Sequence, residues 1–169
     1  MNENERGRPC RISQVEMTEL VLPQDTNYHG TVFGGRILHW IDVAGAIAAQ
    51  RHARCKVVTA SIDDMHFVMP ISLGDTVILR ASVNSVHRTS MEVGIRVERE
   101  LRGSMAREHA ATAYLTFVAV DDGGRPVSLA PLITETDEER RREADAQVRR
   151  RFRLERRQAI IQRRASEET

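Results

Sequence analysis

The segment RILHWIDVAGAIAAQRHA, from Arg36 to about Ala53, constrains this chain more than any other. It is apolar on nearly every face, and between Ile37 and Ala49 only His39 and Asp42 carry polar side chains. At 3.6 residues per turn it reads as a helix of about five turns. A helix with no polar face belongs inside a core and not on a surface. Ala44, Gly45, Ala46, Ala48 and Ala49 are small enough to let strands or a second helix approach closely, although Gly45 costs about 1 kcal/mol of helix propensity against alanine.

Something must wrap such a helix, and the flanking sequence supplies strands. Ile12 to Leu22 reads as a first strand ending at Pro23. After the helix come VVTASIDDMHFVMP, DTVILRASVNSVH, TSMEVGIRVEREL and EHAATAYLTFVAV. Val77, Leu79, Ala81 and Val83 alternate with Ile78, Arg80 and Ser82, and Met91, Val93, Ile95 and Val97 alternate with polar neighbours. Period two with one apolar face denotes antiparallel strands over a core. Gly74-Asp75, His87-Arg88-Thr89 and Arg102-Gly103 provide the turns, and the DDGG run at 121–124 closes the last strand. The expected architecture is α+β: an antiparallel sheet of about five strands around a central helix.

A length of 169 residues fits one domain with its own core. Residues 1–11 read as a tail, 12–133 as the domain, and 134–169 as a charged C-terminal helix or tail. Residues 140–164 hold eleven arginines against Glu143, Asp145 and Glu155, with Val148, Phe152 and Leu154 near helical spacing. A run of charge is usually a solvated face; docking on another subunit, on cofactor phosphates or on nucleic acid is the alternative. The net charge of +1 gives no whole-molecule argument for nucleic acid or an anionic membrane. Cys10 and Cys55 match no metal-ligand spacing and no disulfide framework, which favours a reducing compartment, the cytoplasm. The N-terminus lacks an apolar signal region, and no segment has the roughly 18 uncharged apolar residues of a membrane span.

Asp42 is the anomaly in the helix. A buried carboxylate costs on the order of several kcal/mol unless it is paired, neutralised or required for chemistry. It lies seven residues, two turns, after Gly35, and His39 lies one turn nearer. Gly34 and Gly35 just before the helix leave backbone N–H groups open at the positive end of its dipole, a position suited to an oxyanion or a phosphate. Asn27, in the loop at 23–35, can join the same groove if the loop folds back or a second chain supplies it. The competing readings are a structural acid at Asp42 and tight packing at the glycine pair. His39, His52 and His66 read as structural or surface residues, and strand alternation separates Asp63, Asp64 and His66, so no metal site is expected. No dinucleotide, Walker, zinc-protease or nucleophile-elbow motif is present.

Asn27, Gly30, Phe33, Gly34, Gly35, Leu38 and Asp42, followed by Arg51-His52, VVTASIDDMHFVMPISLGD and Thr89-Ser90, form an ordered set. That set resembles the hotdog-fold acyl-CoA thioesterases, in particular the bacterial YciA-type and mammalian brain acyl-CoA hydrolase group, over about residues 12–135. The resemblance implies a sheet wrapped around the central helix, dimers that join two sheets, and dimers that build hexamers. It implies hydrolysis of acyl-CoA to a fatty acid and CoA, with CoA as part of the substrate and no separate cofactor. By position, Asp42 would activate water or attack the thioester, Asn27 would assist from the facing subunit, Gly35 N–H would polarise the carbonyl, and Thr59 would add a hydroxyl. A thioester needs directed water and charge stabilisation on oxygen, with no serine or cysteine nucleophile.

For CoA, the turn with His87, Arg88, Thr89 and Ser90 is the best candidate, since hydroxyls and an arginine hold phosphate oxygens. The family often has a glycine near His87, which this chain lacks. Arg51 and His52 are further candidates, with helix-end capping as their alternative. Trp40, Met65, Phe67 and Met69 are expected to shape an acyl tunnel. A non-catalytic acyl-CoA sensor with a basic arm is the competing function, and it has no need for Asn27 and Asp42 together.

Overall fold

The computed structural model describes residues 6–63, 65–104 and 106–167. The elements run β1 (Arg8–Pro9), β2 (Val15–Leu20), α1 (Gly34–Ala53), β3 (Lys56–Ile62), β4 (His66–Phe67), β5 (Thr76–Val86), β6 (Ser90–Glu100), β7 (Arg107–Val120), β8 (Leu132–Ile133) and α2 (Asp137–Glu167). One antiparallel sheet has the order β2-β5-β6-β7-β3, with β4 also on β7, and β1 pairs with β8 in parallel outside it.

The alternation seen in the sequence becomes two faces. Val77, Leu79 and Val83, then Met91, Val93, Ile95 and Val97, then Ala111, Ala113, Leu115, Phe117 and Ala119 are all fully buried on the inner face. They close on Ile37, Trp40, Ile41, Ala44, Ala48 and Ala49 of α1 in one core. Gly45 is what brings the helix down onto β7: a Cβ there would stand 3.1 Å from the Phe117 ring.

Several expectations shift. The helix starts at Gly34, with Phe33 as N-cap, so the glycine pair forms its first turn and does not precede it. Nor is α1 buried all round: Gly35, His39, Val43 and Gln50 are exposed and Asp42 is half-buried, because the sheet wraps one side only. The first strand begins at Val15, since Cys10–Ser13 form a 3-10 turn in which Ser13 Oγ donates to Cys10 O at 2.7 Å and accepts Val83 N–H at 3.0 Å. Arg8 and Cys10, placed by the sequence in a tail, are buried. The stretch after the helix breaks into β3 and β4, with a bulge between Thr59 and Ser61.

The Arg-rich segment is a regular helix whose first half docks on the outer face of the sheet. Arg149 donates to the buried Glu92 at 2.7 Å and lies 3.6 Å over the Tyr114 ring, Arg153 pairs with Asp63 at 2.8 Å, and Ala146 is fully buried. Asp64 lies outside the described residues.

Candidate active site

The loop before α1 is organised by two side chains. Asn27 accepts the His29 N–H at 2.9 Å through Oδ1 and donates to Thr31 Oγ1 at 3.0 Å through Nδ2, which closes a turn around Gly30 at φ 75°. Asp25, 3% exposed, accepts the Leu22 N–H at 3.0 Å and Arg36 Nε at 2.6 Å, while its carbonyl accepts the N–H of Phe33. This pair fastens the loop to the first turn of the helix. The sequence reading missed it, although a signal existed: an arginine in a first helical turn opposes the dipole and calls for a carboxylate.

At that first turn Arg36 and Ile37 donate to Phe33 O, and the N–H groups of Gly34 and Gly35 precede the helical ladder. Among the described residues a Cβ at Gly35 would meet nothing within 4 Å, so a ligand can approach its amide. Two turns on, Asp42 Oδ1 accepts the Thr59 hydroxyl at 2.7 Å. The β3 bulge aims that hydroxyl: Thr59 pairs with Phe117 on the inner face, whereas Ser61 pairs with Thr116 on the outer one. Asp42, Thr59 and the Gly35 end of α1 therefore belong to one exposed flank of the helix. Asn27 is engaged in its own turn, and among the described residues no hydrogen bond joins it to Asp42.

A cavity of about 310 Å³ opens beside the helix start, lined by Gly34, Ile37, Phe67, Met69, Pro70 and Ile71 among others. Of the four residues expected to shape an acyl tunnel, Phe67 and Met69 line this cavity, Trp40 is buried in the core and Met65 packs against that core.

The CoA candidates separate. In the β5–β6 turn His87 N–H donates to Ser90 O at 2.7 Å, and the carbonyls of Arg88 and Thr89 accept Leu129 and Ala119 N–H groups. The turn is pinned by backbone, and the Arg88 side chain is exposed. Burial, with Arg150 and Arg153 nearby, holds His87 below the usual histidine range. Arg51 is exposed and donates to the Gln14 carbonyl. His52 is fully buried: Nε2 donates to Ala130 O at 3.0 Å, Nδ1 has no hydrogen-bond partner among the described residues, and burial keeps the ring neutral-leaning. A side chain enclosed in this way does not reach a CoA in solvent, so His52 is a structural residue of the helix end.

The class follows from how the helix is held. A sheet curled round one long helix, with a carboxylate set two turns behind a glycine-opened N-terminus, is the hotdog fold of thioester-processing proteins. A profile of the thioesterase superfamily matches residues 29–106. The Bacillus subtilis uncharacterized acyl-CoA thioester hydrolase YkhA is 44% identical over 137 residues, covering 81% of this chain and 80% of that protein. Mouse acyl-coenzyme A thioesterase 11 is 42% identical over 142 residues, 84% of this chain but 24% of that longer protein. Among solved structures, an apo-hexameric acyl-CoA thioesterase superposes with TM-score 0.86 at 39% identity, covering 89% of this chain and 97% of that one. The Staphylococcus aureus acyl-CoA hydrolase, bound to butyryl-CoA, CoA and CoA disulfide, gives 0.81 at 38% identity, covering 90% and 96%. Other solved forms of that enzyme carry alanine in place of one asparagine, one aspartate or one threonine. This chain belongs to the thioesterase superfamily, among its hotdog-fold acyl-CoA thioesterases.

Proposed function

We propose that this chain hydrolyses acyl-CoA thioesters to a fatty acid and free CoA, with Asp42 as general base. The observation that carries the reading is the 2.7 Å bond from Thr59 Oγ1 to Asp42 Oδ1. It fixes one carboxylate oxygen and leaves Oδ2 to take a proton from water. The water oxygen then attacks the carbonyl carbon, negative charge collects on the carbonyl oxygen at the Gly35 N–H, and the C–S bond breaks. The CoA thiolate leaves and recovers the proton from Asp42. Such an amide at a helix N-terminus is worth most where charge develops in the transition state. The asparagine, aspartate and threonine chosen for replacement in the S. aureus hydrolase are the residue types of Asn27, Asp42 and Thr59, which supports the assignment.

The site is completed by a second copy. β3 ends the sheet as an exposed edge, with Val58 and Ile62 about half exposed, and such an edge is a template for pairing. Two copies joined along β3 cover the open flank of α1, and Asn27, which keeps one N–H beyond its bond to Thr31, enters the site from the facing copy. Three such dimers make the hexamer, the state named for the apo structure above. Arg88, Thr89 and Ser90, with Arg51, hold the CoA phosphates, and the reaction requires no cofactor beyond the CoA of its substrate. Among the described residues no helix is long and apolar enough to cross a membrane, and rat and mouse relatives are named cytosolic; we assign this chain to the cytoplasm.

The test is thiol release, read with a dithiobis-nitrobenzoate reagent, from acetyl-CoA to palmitoyl-CoA. Asp42→Ala that stays folded is expected to lose about 10²-fold or more in kcat. A wild-type chain that binds acyl-CoA and liberates no thiol overturns the proposal and favours the sensor.

A further inference from the structure

The second half of α2 leaves the sheet. Its path is marked by contacts: Arg149 over β6 and β7 at Glu92 and Tyr114, then Arg153 at Asp63, the residue after β3. From Leu154 to Ser166 every side chain is exposed, about 20 Å of helix at 1.5 Å per residue. An overhang that packs on nothing gains none of the tertiary burial that supplies most helical stability in proteins. Its composition is not that of a solvated helix either: Leu154, Ile160 and Ile161 are 42–50% exposed.

Helical spacing shows which side matters. Arg149 and Arg153, which meet the sheet, lie on one stripe with Arg156, Arg157, Ile160 and Arg164 (i, i+4, i+7, i+8, i+11, i+15). The sheet-facing side of α2 thus continues as an arginine stripe past the point where this chain's sheet stops. Over the sheet, each of its first two arginines meets a carboxylate. Beyond β3 the stripe needs a further surface, at the edge where β3 is itself unpaired.

We infer that the overhanging half of α2 clasps a second copy of this chain, its arginine stripe lying on that copy's Asp121–Asp122 turn. This rests on the edge pairing proposed above. When a strand pairs antiparallel with its own symmetry mate, the Asp63 end of one lies beside the Lys56 end of the other. Lys56 is opposite Val120, and Asp121 and Asp122 follow Val120 directly. Asp122 is 95% exposed and bridges Lys56 at 2.8 Å, so it stands ready for a second cation. By symmetry each copy gives one arm and receives one.

Sedimentation equilibrium separates the outcomes. Against the full chain, a chain ended after Leu154 is expected to show a dimer dissociation constant raised at least about 10-fold, and Asp122→Arg one raised about 5-fold. Combining Asp122→Arg with Arg156→Asp and Arg157→Asp restores the constant to within about twofold, which a lost fold would not do. An unchanged constant in the shortened chain overturns the clasp, as does a shortened chain whose larger assemblies fall to intact dimers. So does fast amide exchange at 155–166 in the assembled protein. A full chain that is monomeric at every concentration overturns the edge pairing itself, and the two failures are thereby distinguished.

Discussion

Thr59→Val removes one hydroxyl and keeps the shape of the side chain, so it isolates the bond to Asp42. A hydrogen bond to a charged group is worth about 1.5–3 kcal/mol. Thr59 is exposed and Asp42 half-buried within one chain, which places this bond toward the lower end, about 1–2 kcal/mol. At 1.36 kcal/mol per decade that is about a 5- to 30-fold loss in kcat. KM should hold, because the bond fixes the carboxylate and not the substrate. Thr59→Ser, which restores the donor, should recover most of the rate. In an Asp42→Ala background Thr59→Val should cost less than about twofold, since its effect passes through the missing carboxylate. Steady-state thiol release on one acyl-CoA gives all four corners of that cycle. Equal losses for Thr59→Val and Thr59→Ser, or additive losses with Asp42→Ala, would refute the argument.

Two further outcomes follow from the scaffold. Arg149→Met leaves Glu92, 3% exposed, without its cation, and should destabilise the chain by about 3 kcal/mol in urea unfolding; a change under about 1 kcal/mol would mean the carboxyl is satisfied by other groups. Burial holds His52 below its ordinary value of 6.5, so the unfolded chain takes up a proton that the folded one does not. His87 is lowered in the same sense, by burial first and then by Arg150 and Arg153. The stability they contribute is whole above 6.5 and is lost as pH falls through the folded value. The urea midpoint should therefore drop between about pH 7 and about pH 5, and His52→Gln should flatten that slope; an equal slope in the variant removes His52 from the account.

What was legible in the chain was periodicity and spacing. The period-two runs of β5 and β6 fixed which residues face α1, because a one-residue slip would have exposed every valine. The seven-residue step from Gly35 to Asp42 put both at one flank of the helix before any contact was known. Less visible was anything that depends on partners far apart in sequence. Asp25 stayed one residue of the loop at 23–35, because its arginine is eleven residues away in another element. His52 read as a structural or surface residue and also as a CoA candidate at a helix end, because nothing local reveals that Ala130 closes over it. The length of α2 was blurred by its charge, since the carboxylates that receive Arg149 and Arg153 come from β6 and from the end of β3.

The bulge in β3 lets that strand carry one residue more than its partner without losing its phase. Val57 and Thr59 face the helix, yet the next inward residue is Ile62, three positions on and not two. Ala60 is the supernumerary residue. Counted into a regular ladder it would turn either the Asp42-bound hydroxyl or Ile62 to the opposite face, and the bulge absorbs it instead. Deleting Ala60 would leave Thr59 and Ile62 both inward in an unbroken ladder, so the strand can change its length by one residue there without turning the hydroxyl away from Asp42.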